Sequence, residues 1–132
     1  MDETALAGAL TAGAEAVDAL PAETRLVIFG EMGIGNTTPA SAISGRLLNL
    51  DASEIVGPGT GVSGEALTAK TERVREALGR TEGTTAPLEV LRRLGGREIA
   101  AIVGAMGRAA ERGMAILVDG FIDDAAHAHA DG

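Results

Sequence analysis

Two short, β-branched apolar runs, each closed by glycine and each leading into a helix, predict an α/β protein built on a parallel sheet. The runs are Arg25-Leu26-Val27-Ile28-Phe29 before Gly30 and Ala115-Ile116-Leu117-Val118-Asp119 before Gly120. Amphipathic helical segments fill most of the remainder, so the expected architecture is a three-layer, Rossmann-like sheet with flanking helices. A parallel sheet ordinarily holds about 4–6 strands, and these 132 residues offer two. The sheet is therefore expected to be incomplete here, with neighbouring strands supplied by another chain or by a larger domain.

The first helix is predicted over Thr4 to Leu20, where Leu6, Leu10, Val17 and Leu20 recur at helical spacing and Pro21 closes the segment. The strand at residues 25–29, a continuous apolar run, reads as buried on both faces. After the glycine stretch at residues 30–35, Thr38 is expected to cap a helix with Pro39 at its first position, running to about Leu48. A short helix over Ala52 to Val56 leads into Gly57-Pro58-Gly59-Thr60-Gly61, and Ser63 is expected to cap a helix through Leu78 with Leu67, Val74 and Leu78 on one side. Pro87 to Leu94 forms the next helix, ended by Gly95-Gly96. Glu98 to Gly113 follows, with Gly104 and Gly107 allowing close packing against a neighbour. After the second strand a last helix is expected to begin near Asp123.

Composition bounds the chemistry. Hydrophobic residues make up 45% and charged residues 23%, as in globular domains and unlike disordered or fibrous chains. The 19 glycines stand out against about 7% in average usage, and with aromatics at only 2% the core must be Ala, Leu, Val and Ile. Absence of cysteine removes disulfides, thiolate nucleophiles and cysteine-ligated metal sites. Met1-Asp2-Glu3-Thr4 has no signal-peptide character, and nowhere do about 18 apolar residues run together, so a soluble, cytoplasmic protein is expected. A formal charge of −8 opposes binding to nucleic acid or anionic membrane. An anionic small molecule would need a local positive site.

The strand, glycine loop and helix at residues 26–48 form the arrangement in which backbone N–H groups converge on an anion at a helix N-terminus. Gly30, four residues, Gly35 and then Asn36-Thr37 imitate the spacing of a P-loop, with Asn36 in the lysine position. A neutral amide cannot neutralise a triphosphate, so a P-loop nucleotidase is the weakest reading and a monophosphate the better guest. A plain tight turn explains the same glycines. His127 and His129, two residues apart, point in different directions on a helix and carry no metal role. Arg92-Arg93 and Arg108/Arg112 read as solvated helix faces.

The longer string Gly-Glu-Met-Gly-Ile-Gly-Asn-Thr-Thr-Pro, residues 30–39, resembles the signature of the nicotinate-nucleotide:dimethylbenzimidazole phosphoribosyltransferases, the CobT family of cobalamin nucleotide-loop assembly. The resemblance continues in register through Val56-Gly57-Pro58-Gly59-Thr60-Gly61 with Lys70 downstream. Pro87 to Gly96, Glu98-Ile99-Ala100 and Val118-Asp119-Gly120-Phe121-Ile122 follow in order. It implies phosphoribosyl transfer from nicotinate mononucleotide to 5,6-dimethylbenzimidazole, without a cofactor, in an enzyme that is a homodimer at full length.

By that resemblance Glu31 is a secondary acid or base near the benzimidazole, and Gly33, Ile34, Gly35, Asn36, Thr37, Gly59, Thr60, Gly61 and Lys70 bind substrate. Backbone amides of Gly33, Ile34 and Gly35 hold the phosphate, and Lys70 supplies positive charge. The plainer alternatives are a solvated loop glutamate, an exposed helix lysine, structural turns, and Asn36 and Thr37 that only fix the loop and cap the helix. Asp119 sits where open α/β sheets place ligands, or else caps the next helix.

The match covers a minority of the family's length. Residues 1–132 read as one partial α/β domain, without the N-terminal part that helps form the benzimidazole pocket and without the later glycine loop that bears the principal glutamate base. Arg97, Asp123-Asp124 and the His-Ala tail depart from the family pattern. The chain alone is accordingly expected to have little activity, and a non-catalytic phosphate-binding module acting with a partner chain is the alternative.

Overall fold

The computed structural model describes residues 1–58 and 63–121. In order these form α1 (Glu3–Asp18), β1 (Leu26–Gly30), α2 (Thr37–Leu48), α3 (Ala52–Ile55), α4 (Glu65–Arg80), α5 (Pro87–Leu94), α6 (Arg97–Glu111) and β2 (Ala115–Asp119). The two strands lie side by side in parallel, Leu26 opposite Ala115 and Gly30 opposite Asp119. Their carboxyl ends therefore share one edge, where the loop after β1 and the segment after β2 emerge together.

The expectation that the strands are buried on both faces is corrected. Val27, Phe29, Ile116 and Val118 turn toward the helices. Leu26, Ile28 and Leu117 on the opposite face are 52%, 60% and 51% exposed. Strand side chains alternate between faces, and among the described residues the helices pack on one face only. The parallel α/β arrangement is as expected; its second helical layer is not among these residues.

The covered face rests on two clusters. Leu6 from α1, Ala40 and Ile43 from α2, Leu91 from α5, and Ile99, Val103 and Met106 from α6 form the larger one, and Val17, Ala105, Ala109 and Met114 extend it. Truncating a fully buried Ile43, Leu91 or Ile99 to alanine is the kind of change that costs about 2–5 kcal/mol. A third cluster, Ala42, Ala52 and Val74, joins α2 to α3 and α4. Six consecutive residues of α2, Ala40 to Gly45, are buried, because this helix is enclosed on several sides.

Helices α1 and α6 touch backbone to backbone. A Cβ at Gly13 would lie 1.8 Å from the Ala101 carbonyl oxygen, and one at Gly104 would lie 2.0 Å from that of Leu10. Gly104 thus serves the close packing expected of it. Gly107 does not, since a Cβ there meets nothing within 4 Å.

Several helix ends also differ from the local rules. Asp2 caps α1, accepting from the Ala5 N–H at 2.7 Å, and Asp51 closes a capping box with Glu54 on α3. Thr38 is not the cap of α2: the helix begins at Thr37, because the Asn36 N–H reaches Gly33 and the Thr38 N–H reaches Gly35, which starts the coil earlier. Proline is still tolerated in that first turn. Ser63 does not cap α4 either, where Gly64 with φ +59° turns the chain into the helix.

The solvated-face reading changes for Arg112. Arg112 is half-buried and donates to the carbonyls of Val17, Leu20 and Pro21, tying α6 to the chain where α1 ends. Arg108 pairs with Asp18 at 3.4 Å and Glu111 at 2.9 Å. On α5, hydrogen bonds from Arg92 and Arg93 hold the Glu89 carboxyl down at about 2. Their support is present above the ordinary value of 4.5 and is lost as pH falls through about 2.

Candidate functional site

The carboxyl edge of the sheet gathers the segments that carry the candidate residues. A cavity of about 250 Å3 is lined by Thr37 and Ser41 from α2, Ile55 from α3, Gly57, Lys70 from α4, and Phe121 just beyond β2. Four elements distant in sequence thus converge where open α/β sheets bind ligands. The Thr37 and Lys70 of the sequence reading are brought together here. Gly59, Thr60 and Gly61 lie outside the described residues, as do the histidines and Asp123.

Lys70 is the single lysine of the chain and is only 9% exposed, which sets aside the reading of an exposed helix lysine. Its Nζ donates to the Gly57 carbonyl at 2.9 Å. An ammonium has three hydrogens to donate, and among the described residues that bond engages one of them. Burial among α2, α3 and α4 pushes its pKa below the usual lysine value, because the charged form loses water. An anion beside it would restore what burial removes.

The glycine loop leads from β1 into α2. Ile34 is fully exposed at its tip, so any contribution to the site comes from its backbone. Gly35 has φ +97°, a conformation that side-chain-bearing residues rarely adopt. Among the described residues no protein oxygen accepts from the N–H groups of Gly33, Ile34 or Gly35, and these donors precede the first turn of a 12-residue helix. An anion there would gain about 0.3–1 kcal/mol from the helix dipole under exposed conditions.

Glu31 is not a freely solvated loop glutamate. Asn36 Nδ2 donates to its Oε1 at 2.9 Å, while Oε2 is shielded from solvent and has no hydrogen-bond partner among the described residues. Asn36 occupies the cap position of α2 without capping it; its side chain is spent on Glu31 instead. Asp119 stands beside the loop, its Oδ2 3.8 Å from where a Gly30 Cβ would be.

The sequence reading missed Ser41 and Ile55 in the cavity and the Glu31–Asn36 bond. Ser41 follows Thr37 by one helical turn, and its Oγ donates to the Thr37 carbonyl at 2.7 Å, so the i, i+4 spacing was the available signal. Nothing in the sequence distinguishes Ile55 from an ordinary core residue.

The whole of residues 1–132 matches a family model described as phosphoribosyltransferase. The nicotinate-nucleotide–dimethylbenzimidazole phosphoribosyltransferase of Methylorubrum extorquens is 56% identical over 109 residues, which are 81% of this chain and 32% of that protein. Its namesake in Deinococcus radiodurans is 50% identical over 118 residues, 89% of this chain and 32% of that protein. The crystal structure of CobT from Thermus thermophilus superposes with a TM-score of 0.89 at 40% identity, covering 95% of this chain and 38% of the other. The chain spans about a third of the length of the curated relatives it matches. It belongs to the phosphoribosyltransferase family.

Proposed function

We propose that the protein takes part in phosphoribosyl transfer from nicotinate mononucleotide to 5,6-dimethylbenzimidazole, giving nicotinate and α-ribazole 5'-phosphate in cobalamin nucleotide-loop assembly. The observation that carries this reading is the buried Lys70 ammonium in a cavity shared with the first turn of α2. It supplies a local cation in a chain of net charge −8. The names of the relatives support the substrate identities.

In the reaction the bond from the ribose C1' to the pyridinium nitrogen breaks, and its electron pair stays on nicotinate. A benzimidazole nitrogen supplies the pair for the new bond to C1', and the other ring nitrogen releases its proton, so one proton accompanies the two products. Positive charge develops on the sugar as the first bond stretches, and a carboxylate takes the proton. Glu31 is proposed as a secondary acid or base. The N–H groups of Gly33, Ile34 and Gly35 and the Lys70 ammonium hold the phosphate. Asn36 and Thr37 line the loop and the start of α2, and Gly59, Thr60 and Gly61 approach the nucleotide. A homodimer in the cytoplasm, acting on small molecules rather than nucleic acid, completes the proposal.

The second reading, phosphate binding in concert with a partner chain and without turnover, is favoured by the lining of the cavity, which contains no carboxylate among the described residues. Calorimetric titration of the 132-residue chain with nicotinate mononucleotide tests the shared anion site: binding is expected, and Lys70→Ala is expected to weaken it at least tenfold. No binding, or a silent substitution, would sink both readings. Chromatography of the chain incubated with both substrates then measures turnover: little α-ribazole phosphate is expected from this chain alone, and robust product would exclude the non-catalytic reading.

A further inference from the structure

The Glu31 carboxylate is held in an unusual state. Oε1 accepts from Asn36 Nδ2 at 2.9 Å. Oε2, on the same carboxylate, is shielded from solvent and has no donor among the described residues. Buried polar oxygens normally find partners, so an oxygen left in this state is open to an incoming hydrogen-bond donor. The amide donates through Nδ2, and its bond ties one carboxylate oxygen and leaves the other.

Gly33 sits inside this arrangement. A Cβ at that position would lie 2.1 Å from Glu31 Oε1 and 2.4 Å from Asn36 Nδ2, between the bonded pair. The backbone of Gly33 does not require glycine, since its φ is not among the positive values that Gly35 and others show. What requires glycine at 33 is the room taken by the two side chains. The Asn36 N–H also bonds to the Gly33 carbonyl at 3.0 Å, which fixes the side chain's origin relative to the loop it spans.

We propose that Asn36 is a positioning residue for Glu31, orienting its carboxylate so that Oε2 faces the transferable proton, and that Gly33 is glycine to make room for this clasp. The inference rests on the acid or base role proposed for Glu31. It takes Asn36 out of direct substrate binding: the amide acts through the carboxylate, and its contribution vanishes when the carboxylate can no longer take a proton.

The test is a double-mutant cycle in a chimaera in which this segment replaces the matching part of the full-length Deinococcus radiodurans relative, with kcat and KM measured for both substrates. Misplacing a catalytic group by about 1 Å can cost roughly a hundredfold, so Asn36→Ala is expected to lower kcat about 10- to 100-fold with the KM for nicotinate mononucleotide unchanged. Glu31→Gln keeps an acceptor for Asn36 but removes the secondary acid or base. Asn36→Ala added to Glu31→Gln is expected to produce no further loss. Gly33→Ala is expected to repeat the Asn36→Ala loss while melting within a few degrees of the parent, because the atoms in its way are ends of flexible side chains.

Losses that multiply in the cycle would overturn the positioning role while leaving the acid or base role of Glu31 standing. A raised KM for nicotinate mononucleotide with unchanged kcat in Asn36→Ala would do the same, returning Asn36 to substrate contact. A Glu31→Gln variant as fast as its parent would remove the acid or base role itself, and the positioning role with it.

Discussion

Glycine serves opposite ends in two regions of this protein. At the α1–α6 seam, Gly13 and Gly104 bring two helix backbones into contact, and the atoms that a side chain would strike are main-chain carbonyls. In the loop after β1, a Cβ at Gly33 would strike only the ends of two side chains, and one at Gly35 would strike nothing, its need being the positive φ. The seam is satisfied and closed. Among the described residues the loop leaves N–H groups without protein acceptors, a carboxylate oxygen without a donor and, nearby, a desolvated ammonium.

The largest effect should follow from closing the seam to glycine. Overpacking ordinarily costs about 1–3 kcal/mol, and a carbonyl held in a helix cannot swing aside as a side chain can. Gly104→Ala is therefore expected to cost about 3 kcal/mol, read as a lower urea midpoint with the slope unchanged. Gly13→Ala should match it, and the double variant should cost less than the sum because both separate the same two helices. A loss under about 1 kcal/mol for either single variant would mean that the seam is not the rigid half of the molecule.

Gly35→Ala tests the loop by the other route. Forcing a side chain into positive φ costs about 1–2 kcal/mol, so a smaller loss than at Gly104 is expected, accompanied by weaker binding of nicotinate mononucleotide because the amide donors turn away. A stability loss equal to that of Gly104→Ala would erase the distinction between contact and conformation.

The contrast was only partly legible in the sequence. Periodicity located β2 and α5 to the residue and β1 to within one, because a continuous apolar run between glycines and a proline-led amphipathic turn are local signals. The in-register glycine strings led to the loop and to Lys70. Capping rules failed at Thr38 and Ser63, where the backbone path through Gly35 and Gly64 decides where the helix starts. Burial on both strand faces could not be read locally, since Leu26 and Ile28 look the same whether or not a layer covers them. Gly13 went unnoticed within an alanine-rich helix, and Gly107 was given a contact it does not make. Spacing places a glycine on a helix but not on the face that meets the neighbour. The Glu31–Asn36 clasp was hidden for a similar reason, because a cap-position asparagine ordinarily bonds to its own helix.

Lys70 lets the cost borne by the site be measured. The unfolded chain keeps its lysine proton up to about the ordinary 10.5, whereas the folded chain releases it earlier. Between the lowered folded value and 10.5 the unfolded state holds more protons, so stability should rise with pH through that window. With no tyrosine and no cysteine in the sequence, no other common side chain titrates there. Lys70→Met, which keeps the stem and removes the charge, should flatten the rise, be neutral or slightly stabilising near pH 7, and abolish binding of the mononucleotide. A rise that persists in Lys70→Met would assign the desolvation to some other group.

The smallest effect carries the opposite sign. Gly107 lies one helical turn beyond Gly104 on α6, beside a cleft bordered by Leu10, Thr11 and Ala14, and a Cβ there meets nothing within 4 Å. Glycine inside a helix costs about 0.5–1 kcal/mol relative to alanine through backbone entropy. Gly107→Ala should therefore stabilise the protein by about that amount, while Gly104→Ala on the same helix destabilises it. Neither propensity nor residue type differs between the two positions, so the difference in sign isolates the approach of α1. If Gly107→Ala also destabilises, the two helices lie closer along this cleft than at their crossing, and the seam extends a full turn beyond Gly104.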